Sequence, residues 1–235
     1  MPIITCPIQA VKHLNQDTRQ VLLDTGDGVS FKAGQYLEVV ADDKRFPFSI
    51  ASAPALSPTI ELHVKPTPNS ADSDQFEALL DTASELTIDV PKGDCFIESA
   101  PDQPLVMLAA ATGVTQMKSI IEHLLPRGLA QPTYLYWGVL CDKDLYLSEL
   151  CESWQARDKN FHYIPVVSEP DTSPNWQGRT GLVGSVALED FADLSNMHVI
   201  TGGSPGMVYA TLDMFLARGF DEANMQSDVF AYAPR

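Results

Sequence analysis

The segment Lys44-Arg45-Phe46-Pro47-Phe48-Ser49-Ile50-Ala51-Ser52 holds residues able to grip a flat, polar-edged ligand. A proline inside an apolar strand confines it to a sheet edge or a bend, where backbone N–H and C=O groups stay open. Open backbone groups beside phenylalanines and a serine hydroxyl suit a planar heterocycle such as an isoalloxazine ring. Taken alone, the segment also reads as an ordinary edge strand with a core phenylalanine.

Two turns further along carry different chemistry. Ala110-Ala111-Thr112-Gly113-Val114-Thr115 follows an apolar run and leads into a helical pattern, whose first N–H groups can receive a phosphate. It reads equally well as a plain strand-to-helix turn with Thr115 as the N-cap. Thr201-Gly202-Gly203-Ser204-Pro205-Gly206-Met207 also follows an apolar run, and its proline stands where a helix tolerates a missing N–H. Paired glycines let backbone approach a flat ring without a β-carbon in the way.

The net charge of −16 disfavours nucleic acid and anionic membranes as partners and leaves phosphate binding to local N–H groups and a few cations. Cys6, Cys95, Cys141 and Cys151 show neither C-x-x-C spacing nor neighbouring histidines, so no metal site is expected and reduced thiols in a cytoplasmic protein are. No signal-peptide pattern or membrane-length apolar run is present. His13, His63, His123, His162 and His198 lack metal-ligand spacing, and Asp72, Asp74, Glu77 and Asp81 read as a solvated helix face.

The elements that must position these groups change character along the chain. Short β-rich runs at residues 3–11, 18–24, 36–40, 46–52, 59–65 and 86–90, with turns such as residues 24–28 and Pro54–Pro58, predict an all-β antiparallel six-stranded barrel over residues 1–100. A helix near 71–82 interrupts it. From residue 104, strands at 105–109, 133–137, 161–167 and 197–201 alternate with helical stripes such as Met117, Ile120, Ile121 and Leu124. Further helices fall near 185–192 and 205–218. Residues 101–235 therefore predict an α/β doubly wound parallel sheet, which binds ligands at its strand-to-helix turns.

Phe31-x-Ala33-Gly34-Gln35-Tyr36, Pro47 to Ser52, Asp89 to Asp94, Ala111-Thr112-Gly113, Tyr136-Trp137-Gly138, Trp176-x-Gly178-Arg179-x-Gly181, Gly202 to Met207 and Asp228 to Tyr232 follow one another in this order. In that order they resemble the ferredoxin-NADP reductase-like superfamily, and within it bacterial NAD(P)H-flavin reductases, including those associated with bioluminescence. The resemblance spans nearly the whole chain. It implies that the first domain holds FAD or FMN against Arg45, Phe46, Pro47, Phe48, Ser49 and Ile50, with Ser49 as the catalytic hydroxyl near the ring's reactive nitrogen. His63, Val64 and Lys65 belong to the strand beside the flavin. Ala111, Thr112, Gly113, Thr115, Gly202, Gly203, Ser204, Pro205 and Met207 receive NADH or NADPH, and Asp228 stands near the nicotinamide or simply starts a strand.

The implied activity is hydride transfer from NADH or NADPH to FMN, FAD or riboflavin, with free flavin as substrate and a flavin-dependent monooxygenase or other acceptor downstream. The sequence departs from the family where Phe46 occupies the usual arginine position. Arg45 comes one residue early and so faces the other side of its strand. Lys143 and Arg179 are the only candidate cations near a ribose 2′-phosphate, which favours NADH over NADPH. Two other readings are a flavin-retaining subunit that passes electrons to an oxygenase or ferredoxin, and a non-catalytic flavin or nucleotide sensor.

Overall fold

The computed structural model describes residues 2–56 and 58–235; residue 57, within the turn read at Pro54–Pro58, lies outside them. The chain divides into two compact units, Met1–Glu98 with Lys118–His123, and Ser99–Met117 with Leu124–Arg235.

The first unit is a six-stranded antiparallel sheet in the order β4-β3-β6-β1-β2-β5. Its strands are β1 (Ile3–His13), β2 (Arg19–Asp24), β3 (Tyr36–Ala41), β4 (Lys44–Ser49), β5 (Thr59–Val64) and β6 (Glu85–Lys92). In β2 and β3 buried residues alternate with part-exposed ones, the period-2 pattern of a sheet with one face turned inward. Beyond the end of β4, Ala51 N–H donates to Glu61 O at 2.8 Å, which brings the sheet's outer strands β4 and β5 together at that end. The core runs through Val21, Leu23, Leu37, Val39, Ile60, Leu62 and Ile88.

Helix α1 (Ala71–Thr82) is capped by Ser70, whose hydroxyl accepts the Ser73 N–H, and it drives Phe76 into this core. There the Phe76 ring meets Phe46 and Phe48 at centroid distances of 5.2 and 4.6 Å. The acidic helix face goes beyond expectation. Glu77 and Asp81 both bind the buried Arg19, at 2.6 and 2.7 Å, and Asp72 binds Lys44, so the face is ion-paired as well as solvated, with Asp72, Asp74 and Asp81 exposed.

The second unit is a six-stranded parallel sheet in the order β10-β9-β8-β7-β11-β12. Its main strands are β7 (Leu105–Ala110), β8 (Thr133–Val139), β9 (Phe161–Val167) and β11 (His198–Gly202); β10 (Arg179–Thr180) and β12 (Met225–Gln226) are two-residue edges. Helices α2 (Val114–Leu124), α3 (Ser148–Arg157), α4 (Val183–Asp190), α5 (Pro205–Leu216) and α6 (Val229–Tyr232) connect or follow them. β7 is buried along Leu105–Ala109, as its unbroken apolar run requires. Gly184 lets α4 and α5 pack closely, since a β-carbon there would stand 2.7 Å from Thr211 Oγ1. From β7 the chain builds outward through β8 and β9, then crosses back to β11 on the other side of β7, which makes the β7–β11 gap the switch point of the sheet.

The turn after β7 is a 3-10 segment, Ala111–Gly113, and Ala111 enters it with φ of 49°. An L-residue in this left-handed region carries a steric penalty of about 1 to 2 kcal/mol, partly offset by the smaller backbone entropy an alanine loses on folding. We expect Ala111→Gly to stabilise the protein by about 0.5 to 1 kcal/mol, read as a higher denaturant midpoint at unchanged slope.

Candidate functional site

In the second unit the two turns singled out in the sequence touch. A β-carbon on Gly113 would overlap the carbonyl of Gly202, and one on Gly202 would lie 3.2 Å from Gly113 O. Glycine is therefore required at 113 for the β7 and β11 turns to meet at the switch point, while a side chain at 202 would push its neighbours by a few tenths of an ångström. Gly203 follows against Ala110, and Ser204 caps α5 by accepting the Met207 N–H at 3.3 Å, with Pro205 in its first turn. Trp137 fixes the other flank by donating its indole N–H to Ala111 O at 2.9 Å.

Thr115 is not the N-cap: α2 begins at Val114, and the buried Thr115 hydroxyl donates back to Thr112 O at 2.7 Å, which tightens the turn. Asp228 does not start a strand; it precedes the short helix α6 and accepts a hydrogen bond from Gln116 Nε2 at 3.1 Å. Gln116 itself reaches the turns, its Oε1 standing 3.3 Å from where a Gly202 β-carbon would be.

Beside these turns, at the carboxyl ends of β7, β8 and β9, lies a cleft of 410 Å³. Ala110, Ala111, Gly138, Leu140, Ser168, Leu182, Val183 and Met207 contribute to its walls. The first residues of α4, Val183 and Gly184, open onto it, and no side chain caps that helix start, so its leading N–H groups can serve an anion.

In the first unit, Phe46 and Ile50 are buried at 6% and 0% exposure, whereas Pro47 is exposed and Phe48 and Ser49 are half-buried. Phe46 is thus mainly a core residue, and Ser49 is the accessible hydroxyl of the segment. β4 pairs with β3 without a bulge, so Arg45 points to the opposite face from Phe46. There it binds Glu38 and Asp89 at 2.9 and 2.8 Å, and Lys92 joins at 2.8 Å from Asp89. The hydrogen bonds from Lys92 and Arg45 hold the Asp89 carboxyl below its ordinary range. A recess of 180 Å³ borders β4, lined by Phe46, Pro47, Phe48, Val64, Lys65 and Ser70 among others.

His63 is turned inward rather than toward this recess. Its ring is fully buried and lies 2.7 Å from Glu61 Oε1. Lys118 Nζ, also buried, donates to Glu61 Oε2 at 2.9 Å, to Glu122 at 3.0 Å and to Ala51 O at 3.3 Å, while Ser119 donates to Ser52 O at 2.8 Å. The segment that continues β4 past Ser49 is thereby clamped in place. Burial alone would push the Glu61 carboxyl up, but the His63 hydrogen bond and the Lys118 charge bring it down to about 2. Burial also lowers His63, which keeps the imidazole neutral. The sequence offered no sign of this network, because Lys118 lies off the apolar stripe of α2.

The architecture and the paired turns are those of ferredoxin-NADP reductase-like oxidoreductases, and comparison with known proteins agrees. A family model for the oxidoreductase NAD-binding domain matches residues 107–213. The cytochrome P450 reductase of Amycolatopsis superposes with a TM-score of 0.86 at 25% identity, over 97% of this chain and 70% of that one. The NAD(P)H-flavin reductase of Vibrio harveyi is 33% identical over 97% of this chain and 99% of its own, and that of Aliivibrio fischeri 31% identical over 99% and 100%. The chain belongs to the NAD(P)H-flavin reductase family.

The Glu61 carboxyl generates a pH prediction. Because its folded value of about 2 lies below the ordinary 4.5, the stability that ionised Glu61 contributes is complete above pH 4.5 and is lost as pH falls toward 2. Glu61→Gln should lower stability at neutral pH and flatten the loss between those two pH values, measured as denaturant midpoint against pH.

Proposed function

We propose that this chain oxidises NADH or NADPH and transfers the hydride to FMN, FAD or riboflavin taken up as a diffusible substrate. The observation that carries this reading is the backbone-to-backbone contact of Gly113 with Gly202 at the sheet's switch point, in a chain of this family. That contact offers bare backbone to a nicotinamide nucleotide, and the uncapped start of α4 offers N–H groups to its pyrophosphate. Ala111, Thr112, Gly113, Gly202, Gly203, Ser204 and Met207 form this nucleotide site, with Gln116 and Asp228 bracing it. Thr115 and Pro205 shape the turns.

For the flavin, the fit rests on β4. It is an edge strand with β3 as its ladder partner, so its outward backbone groups remain open beside Pro47, Phe48 and the half-buried Ser49 hydroxyl. When bound, the flavin supplies a two-electron acceptor. Ser49 offers its hydroxyl to the reacting edge of the ring, and Lys118, Ser119 and Glu61 hold the adjoining Ala51–Ser52 backbone still. Catalysis of this kind depends on presenting two rings at about 3 to 3.5 Å rather than on an acid–base pair.

Weak retention of the flavin follows from two features. Arg45 is committed to Glu38 and Asp89 on the far face of β4. The start of α1, beside the recess, is already capped: Ser70 accepts the Ser73 N–H, and Asp72 and Asp74 place negative charge in its first turn. Lys65 alone among the residues lining the recess is cationic, beside Asp72 and Glu77, which supports turnover of free flavin in the cytoplasm and delivery of the reduced product to a monooxygenase or another acceptor. Among the described residues, no helix is long and apolar enough to cross a membrane.

The test is NAD(P)H oxidation with riboflavin, FMN and FAD supplied in turn. Ser49→Ala should slow flavin reduction about 10- to 100-fold, equivalent to ~1.4 to 2.7 kcal/mol of transition-state stabilisation. Wild-type single-turnover rates in that variant would remove Ser49 from the mechanism.

A further inference from the structure

The residues lining the cleft beside β7 and β8 carry no charge, so the charges of the segments that adjoin it bear on the choice between two hydride donors. NADPH differs from NADH by one phosphate on the adenosine ribose, so discrimination reduces to whether the walls near the adenosine supply a cation. Arg179 is a nearby cation by sequence, but the fold removes it. Its guanidinium donates through NH1 to Asp190 at 2.6 Å and through NH2 to Glu189 at 2.7 Å, the last two residues of α4. The cleft is lined instead by the first two, Val183 and Gly184, about 10 Å away along a helix of eight residues. Asp190 is held in this arrangement by a second partner, accepting from the Tyr136 hydroxyl at 3.0 Å.

The two loops that supply Leu140 and Ser168 to the cleft wall carry net negative charge. Those following β8 and β9, residues 140–147 and 168–178, carry Asp142, Asp144, Glu169 and Asp171 against a single lysine, Lys143. Glu169 is the best placed of them. It is exposed, it follows Ser168 in the cleft wall, and its N–H donates to the carbonyl of Leu140, another wall residue, at 3.0 Å. Leu140 and Leu182, exposed at 59% and 64%, flank the same cleft and offer apolar surface to an adenine ring.

We infer that this cleft takes the adenosine half of the dinucleotide and selects NADH by excluding the 2′-phosphate, with Glu169 and the locked Arg179 as the specificity-determining residues. The inference rests on the flavin reductase reading above and specifies its electron donor. A 2′-phosphate entering here meets carboxylates in place of the bidentate arginine that would otherwise recognise it. The pyrophosphate escapes this penalty because backbone N–H groups at the α4 start serve it.

The experiment has a kinetic and a binding arm, both on the full chain. In the first, kcat/KM for NADH should exceed that for NADPH by about tenfold or more with riboflavin as acceptor, and the gap should shrink as salt screens the carboxylates. Glu169→Arg should move the NADPH-to-NADH ratio about tenfold toward NADPH. In the second arm, calorimetric titration should show NAD⁺ binding more tightly than NADP⁺ to the wild type, and the variant narrowing that difference. Equal use or preference for NADPH by the wild type overturns the inference, as does a ratio unmoved by both salt and Glu169→Arg. Selective NAD⁺ binding without oxidation of either nucleotide would uphold it while overturning the proposed reaction.

Discussion

No β-carbon can be accommodated on Gly113 against the carbonyl of Gly202, and the proposed nucleotide site depends on that absence. β7 and β11 are sequence-distant strands made adjacent by the crossover, and their following turns meet through bare backbone. Everything nearby is arranged to keep that meeting in register. The Trp137 indole holds Ala111 from one side, the Thr115 hydroxyl ties back to Thr112, and the Gln116–Asp228 hydrogen bond ties the chain's last helix to the start of α2. A site for a flat ligand is formed here by what the side chains leave out as much as by what they contribute.

The first unit solves a different problem. Its edge strand β4 is open on one side and would be mobile beyond Ser49 were the following residues not fastened from several directions. The fastening is ionic and buried, which is costly unless each charge is compensated. Lys118 meets that condition with two carboxylates and a carbonyl, and Glu61 with a lysine, a neutral histidine and Gln20. Removing one member would strand another, so the network holds the Ala51–Ser52 backbone more firmly than apolar packing of similar volume would require.

The sequence announced the elements more clearly than their mutual contacts. Leu105–Ala109 is a run that only a strand covered on both faces can use, and both glycine turns were legible from their place between apolar strands and helix starts. The register argument for Arg45 also held, because a one-residue shift in a strand has a single geometric outcome. The two-residue edges β10 and β12 are too short to show any period. Thr115 looked like a cap because its type favours that role, but the helix starts at Val114, two residues earlier than a cap at Thr115 would place it. Lys118, Glu61 and His63 were invisible as a group because burial of a charge is decided by tertiary neighbours, and nothing local distinguishes a buried lysine from an exposed one. Arg179 was visible as a cation, whereas its neutralisation by Glu189 and Asp190 is a property of the fold.

The proline in β4 has a consequence beyond the ligand. An exposed edge strand with a complete row of N–H groups is a template on which a second chain can add its own strand. Pro47 deletes one donor from the middle of that row while standing exposed, and Lys44 and Arg45 place charge at its start. The proline-bearing edge that keeps the backbone accessible to a small planar molecule is therefore also a poor partner for a growing β-aggregate. The same open edge can stay available in a crowded cell without recruiting other copies of itself.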